Sequence, residues 1–307
     1  MKIGFLFPGQ GSHYVAMGRE FYNEYEEVRS LYKEASHVLG YNVAELSFKG
    51  PKEELDKTFR TQPCLITASI AAFRVLLKEG ITPDCVAGHS LGEYSALVAA
   101  QVLTFSDAVK LVEIRGKLMQ NAVPQGQGKM AAILGLDRDK LIDICSHVPG
   151  IVSPANFNCP GQIVISGETE AVDKALESAK KTGAKKAVVL AVSVPSHCAL
   201  MDSAGKKLAQ EFSTISFSDS SICFINNADA LILTRSEEIR QSLIKQLSSP
   251  LLWEDSIKKM MEQGIDTFIE VGPGKVLSAL MRRISKEQKT FNVEDKKSLI
   301  KTLENLK

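Results

Sequence analysis

The segment Gly88-His89-Ser90-Leu91-Gly92 sets a serine between two glycines. An apolar run over 84–89 precedes it and a helical run over 91–102 follows. A strand that turns abruptly into a helix lifts a serine hydroxyl clear of the backbone, and the flanking glycines leave room for the close approach. The N-terminus of the following helix then faces a reacting carbonyl, and the backbone N–H of Leu91 can donate to an oxyanion. Such a turn can hold a serine as a nucleophile. The competing reading is a helix–strand packing turn with an idle serine.

A serine hydroxyl needs a base. The chain has five histidines, His13, His37, His89, His147 and His197. His37 and His147 fall late in amphipathic helical patterns and read as surface residues, and His13 follows the first loop. His89 is the neighbour of Ser90, so on a sharp turn its side chain points away. His197, in SVPSHCALM, follows a strand pattern and precedes a helix pattern. Active sites gather at the rim where such elements of a parallel sheet end. His197 is therefore the candidate base, against the alternative of a capping or satisfied histidine. Cys198 beside it reads as packing, because adjacent helical side chains do not face one another.

Arg115 lies in TFSDAVKLVEIRGKLMQNAV, three residues after Val112 and three before Leu118. It occupies the apolar stripe of a helix, where a charged guanidinium needs an anion. Periodicity alone favours a structural salt bridge or a side chain that snorkels to the rim. The functional alternative is a bidentate clamp for a substrate carboxylate.

Alternating strand and helix patterns must position these groups, which argues for an α/β fold with a mainly parallel sheet. Strands are expected at 3–7, 84–89, 222–226 and 267–271. Gln62-Pro63 reads as the opening of a helix that runs to Lys78, since proline suits the first helical position. Ser106 reads as the N-cap of the helix that carries Arg115. Between 126 and 193 the rhythm becomes β-α-β-β-α-β, a compact unit of its own. From Lys286 onward the lysine-rich end reads as a solvated tail with a final short helix.

The totals narrow the function classes. Over 307 residues, 37 basic and 36 acidic side chains leave a net charge of +1, so there is no basic excess for nucleic acid. The six cysteines form no CxxC pair, and the carboxylates and histidines show no metal spacing. The short apolar stretch in MKIGFLFPGQ does not read as a signal peptide, and no membrane span is expected. A cytoplasmic protein with reduced thiols is the expectation. GPGK at 272–275 lacks the upstream glycine of a phosphate loop, Ile269 standing in its place, and reads as a strand-to-helix turn.

FPGQGS at 7–12, TQP at 61–63, GHSLGEYSALVAA at 88–100, VEIRGKLMQ at 112–120, NFNCPGQIVISG at 156–167, VPSHCALM at 194–201 and EVGPGKVL at 270–277 together resemble the malonyl-CoA:acyl carrier protein transacylases. The resemblance spans nearly the whole chain, in order. It implies an α/β-hydrolase-like large domain, here 1–125 and 194–307, with an inserted ferredoxin-like (βαββαβ) subdomain at 126–193. It implies a Ser90–His197 pair, with the histidine oriented by a backbone carbonyl at Gln246. The backbone N–H groups of Gln10 and Leu91 become the oxyanion donors. Arg115 becomes the malonyl carboxylate clamp, and Gln62 helps to shape that pocket. The partners implied are malonyl-CoA and an acidic acyl carrier protein, with no nucleic acid or membrane, no metal, and no cofactor beyond the CoA substrate and the carrier's pantetheine arm. The length implies a free-standing subunit, expected to be monomeric, of bacterial or organellar fatty acid synthesis. A trans-acting malonyl or methylmalonyl transferase of polyketide synthesis and a serine hydrolase are the alternatives.

Overall fold

The computed structural model describes residues 1–192 and 194–306. Its strands are β1 (Ile3–Phe7), β2 (Cys85–Gly88), β3 (Gly128–Leu134), β4 (Val152–Cys159), β5 (Gln162–Glu168), β6 (Lys186–Val189), β7 (Cys223–Ile225), β8 (Thr267–Val271) and β9 (Lys289–Val293). Five of them form a parallel sheet in the order β7-β2-β1-β8-β9. Every residue of β1, β2 and β8 is buried, as unbroken apolar runs in a covered parallel sheet require. Phe5 and Phe7 point into one helical layer, and Leu6 between them points into the other, with Trp253 and Ile257.

The other four strands make an antiparallel sheet in the order β4-β5-β3-β6. With the helices Arg138–His147 and Thr169–Lys181 this is the ferredoxin-like connection. One face buries Ala131, Ile133 and Ile165 with side chains of those two helices. Met130 and Val164 on the opposite face, with Leu190, roof a cleft. The boundary expected at Ser193 and the end at Lys307 lie outside the described residues. Among the described residues, no helix is long and apolar enough to cross a membrane.

Four expectations need correction. The helix expected to open at Gln62-Pro63 begins at Thr58, with Pro63 inside it. Burial of nearly every side chain from Thr61 to Phe73 overrides the local penalty of the proline. The N-cap of the Arg115 helix is Thr104, whose hydroxyl accepts the N–H of Asp107 at 3.1 Å, while Ser106 donates to Glu34. The end of the chain has the expected final helix, Lys296–Leu306, but is not a solvated tail: β9 pairs with β8, and that helix buries Leu299. β9 is an edge strand with four of five residues at least partly exposed, so its pattern is diluted by polar residues. Finally, the strand that precedes His197, β6, belongs to the antiparallel sheet and not to the parallel one.

Candidate active site

β1 and β2 are neighbours, with Phe7 opposite Gly88, so the segments that leave their carboxyl ends share one rim. Ser90 sits there at φ 53°, in the left-handed region that non-glycine residues seldom occupy. Both flanking glycines are required by contact. A Cβ on Gly88 would lie 1.9 Å from the carbonyl of Gly92, and one on Gly92 would lie 2.0 Å from the carbonyl oxygen of Phe7. The helix Gly92–Ala99 then leaves at once, with Leu91 at its N-cap.

The sheet rim faces the Met130 side of the antiparallel sheet across a cleft of about 210 Å³. Gln10, Ser90, Leu91, Arg115 and His197 line it from the rim side. Ser90 Oγ lies 2.8 Å from His197 Nε2. His197 Nδ1 lies 2.8 Å from the carbonyl oxygen of Gln246. A carbonyl only accepts, so Nδ1 carries the proton and Nε2 is the lone pair that accepts the serine hydroxyl. That carbonyl is available because its helical partner would be the N–H of residue 250, and Pro250 has none. The carbonyl of Leu247 in the same last turn accepts the backbone N–H of His197 at 3.0 Å. Burial, reinforced by the charge of Arg115, drives the His197 pKa down to about 3, which keeps the imidazole a neutral base.

Arg115 is 1% exposed. Its Nη1 donates to Gln62 Oε1 at 2.8 Å, and its Nη2 donates to Ser90 Oγ at 3.1 Å and to Gln246 Oε1 at 3.0 Å. All three acceptors are neutral, Nε has no partner, and no carboxylate pairs with the guanidinium among the described residues. The structural salt bridge that periodicity favoured is absent there. Ser90 thus offers its proton to His197 while its oxygen accepts from Arg115. Gln62 touches Arg115 and is not among the residues that line the cleft. The backbone N–H groups of Leu91 and Gln10 border the cleft and take no acceptor among the described residues, which suits an oxyanion.

The remaining candidates separate cleanly. His89 points away from Ser90 and meets Asn158 Oδ1 at 2.9 Å, packed edge-on to Trp253. His13 pairs with Asp56, and His37 and His147 are exposed. Cys198 is buried, with its thiol on the carbonyl of Pro195. At 272–275 the helix N-terminus is already filled by a carboxylate: Glu270 accepts the N–H groups of Leu277 and Ser278 at 3.0 and 2.7 Å. No group of three or more His, Cys, Asp or Glu side chains converges as metal ligands among the described residues.

Two fully buried residues beside the serine turn, Glu93 and Asn227, escaped the sequence reading. Glu93 carried the same signal as Arg115, a charge inside an otherwise apolar helix. Asn227 carried only its place just past a parallel strand.

Residues 4–302 match the family described as the acyl transferase domain. The chain is 46% identical over 309 residues to the malonyl CoA-acyl carrier protein transacylase of Bacillus subtilis, covering 100% of this chain and 98% of that protein. It is 49% identical over 286 residues to the protein of the same name from Escherichia coli, covering 92% and 93%. An acyl carrier protein S-malonyltransferase structure from Vibrio cholerae superposes with a TM-score of 0.96 at 46% identity, covering 98% of this chain and 100% of that one. A malonyl-transacylase solved in complex with its type II polyketide acyl carrier protein superposes with a TM-score of 0.97 at 47% identity, covering 99% and 100%.

Proposed function

The chain belongs to the acyl transferase domain family, and from that premise we propose that it moves a malonyl group from malonyl-CoA to the phosphopantetheine thiol of acyl carrier protein, for fatty acid synthesis. The reaction runs through a malonyl ester on Ser90. The hydroxyl attacks the thioester carbonyl while His197 Nε2 takes its proton. The carbonyl oxygen gains the negative charge and is met by the N–H groups of Leu91 and Gln10. When the tetrahedral centre collapses, the C–S bond breaks and the departing CoA sulfur takes the proton from His197. The carrier thiol then gives its proton to His197, attacks the ester, and releases Ser90 Oγ with that proton returned. This is ping-pong covalent catalysis. It uses no cofactor beyond the two thiol carriers. A cytoplasmic location with reduced thiols goes with this reading.

One observation carries it: a buried guanidinium with no carboxylate partner among the described residues stands 3.1 Å from the candidate nucleophile. In a malonyl ester only one methylene separates the ester carbonyl from the free carboxylate. Arg115 therefore lies within reach of that carboxylate and would exchange neutral acceptors for a counterion. A hydrolase has no evident use for such a cation, and free malonate release without carrier would mark one. The polyketide alternative draws on the carrier-bound relative; it differs in the carrier and, for a methylmalonyl transferase, in the acyl group.

The test is to mix the protein with malonyl-CoA, weigh it intact, then add holo-carrier. The expected result is one malonyl adduct on the parent, none on Ser90→Ala, and transfer of the adduct to the carrier. A malonyl adduct that persists on Ser90→Ala sinks the assignment.

A further inference from the structure

We infer that Asn227 and Glu93 are positioning residues that hold the serine turn in its strained shape, an inference that rests on Ser90 being the nucleophile. A left-handed non-glycine residue persists only where its surroundings over-determine it, and Ser90 stands at φ 53°. Asn227 is 0% exposed and follows β7, the strand beside β2. Its side-chain amide bridges the turn: Oδ1 accepts the N–H of Ser90 at 2.7 Å, and Nδ2 donates to the carbonyl of Gly88 at 2.7 Å. The two bonds span His89 and close a ring across the apex. Only a side chain with an acceptor and a donor on one short stem satisfies both buried groups.

Glu93 anchors the bridge from beneath. Its Oε2 accepts the backbone N–H of Asn227 at 3.1 Å and Gln246 Nε2 at 2.8 Å. The same Gln246 Nε2 donates to the carbonyl of Ser90 at 3.0 Å. The backbone N–H and C=O of Ser90 are thus each gripped by a side chain, and both grips converge on one carboxylate oxygen. Gln246 also holds His197 through its carbonyl and Arg115 through Oε1. One buried acid therefore ties together the turn, the base and the cation. What it fixes is the direction of Ser90 Oγ toward Nε2 and of the Leu91 N–H toward the cleft.

The test separates turn geometry from substrate binding. The full chain and its variants are treated with a fluorophosphonate serine probe, the adduct is followed by intact mass, and malonyl transfer to holo-carrier is measured alongside. Displacing a reacting atom by about 1 Å costs on the order of 10²-fold, so Asn227→Ala and Glu93→Ala should lose roughly that factor in probe reaction and kcat, with the KM for malonyl-CoA within about threefold of the parent. Glu93→Gln keeps an oxygen that can accept both bonds and should recover most of what Glu93→Ala loses. Should Asn227→Ala fail to fold, Asn227→Asp serves instead: it keeps the acceptor for Ser90 but sets an acceptor against the Gly88 carbonyl, and it should also react slowly. A folded Asn227 variant that reacts at the parent rate overturns the inference. So does a loss confined to KM, or Glu93→Gln falling as far as Glu93→Ala. A parent chain labelled elsewhere than Ser90 sinks the nucleophile itself, whereas a parent labelled at Ser90 beside equally fast variants sinks only the bracket.

Discussion

Arg115 donates to Gln62, Ser90 and Gln246, and none of these acceptors carries a charge. Burial pushes its pKa down, yet a guanidinium remains protonated across any working pH. We propose that its counterion is one that arrives with the acyl group. Arg115→Ala should lower malonyl kcat/KM by roughly 10²- to 10⁴-fold, since losing one member of a buried charge pair costs about 3–5 kcal/mol. Acetyl transfer should fall far less, because acetyl brings no carboxylate. Competition between malonyl-CoA and acetyl-CoA, read by intact mass, checks this, and an unchanged malonyl preference refutes the clamp. This residue was visible in the sequence because the helical period is strict: a charge among Val112, Leu111 and Met119 has no other face to take. Its partners were harder to see. Gln62 and Gln246 come from helices remote in sequence, and periodicity reveals that a group is buried, not what it meets. Family resemblance supplied the roles expected for Gln10 and Gln246, whereas that of Leu91 followed from the turn itself. Asn227, a small polar residue in a loop, left no trace beyond its place just past a parallel strand.

At the scale of elements, the serine turn works because β2 and the helix Gly92–Ala99 lie almost against each other and against β1. The glycine pair that makes this possible was legible as a motif, while the reason for it needed the coordinates: the Cβ of an alanine at 92 would press to 2.0 Å on the Phe7 carbonyl oxygen. Backbone cannot rotate aside as a side chain can. Gly92→Ala should therefore destabilise the fold by about 1–3 kcal/mol, the usual cost of overpacking. It should also slow acylation of Ser90, because the helix N-terminus must retreat from the rim. Urea unfolding and the rate of malonyl adduct formation measure the two effects, and a fully stable, fully active variant would contradict the packing account. Most element types were readable from periodicity and turn residues. The failures share a cause: at Pro63 and in β9, long-range packing decided what local preference left open. Pro63 is carried through its helix by burial on every side, and β9 is recruited by the free edge of β8.

The whole molecule sets the dielectric in which these groups titrate. We propose that residues 126–193 act as one inserted unit, whose Met130 sheet face roofs the cleft and helps to dry it. Buried groups at the rim then respond to pH with opposite signs: Glu93 on one side, and His197 together with His89, whose pKa burial also lowers, on the other. His197 has its pKa driven by burial from the ordinary 6.5 down to about 3, so as pH falls below 6.5 the unfolded chain takes up a proton that the folded chain refuses. Its contribution to stability is intact above 6.5 and declines from there toward about pH 3. Glu93 has its pKa raised by burial from 4.5 to about 7, so the folded chain keeps a proton that the unfolded chain gives up above 4.5. Its contribution declines as pH rises from 4.5 to about 7. Each slope approaches about 1.4 kcal/mol per pH unit at most, and the two oppose each other between 4.5 and 6.5. The parent should therefore show a shallow stability profile across that window. Removing one group tilts the profile: relative to the parent, Glu93→Gln should gain stability with rising pH more steeply, and His197→Gln less steeply. Urea midpoints at pH 5, 6 and 7 distinguish these profiles. Three parallel curves would mean that water reaches both groups in the folded chain, and that the cleft beneath the antiparallel sheet is not the dry site on which a neutral imidazole base depends.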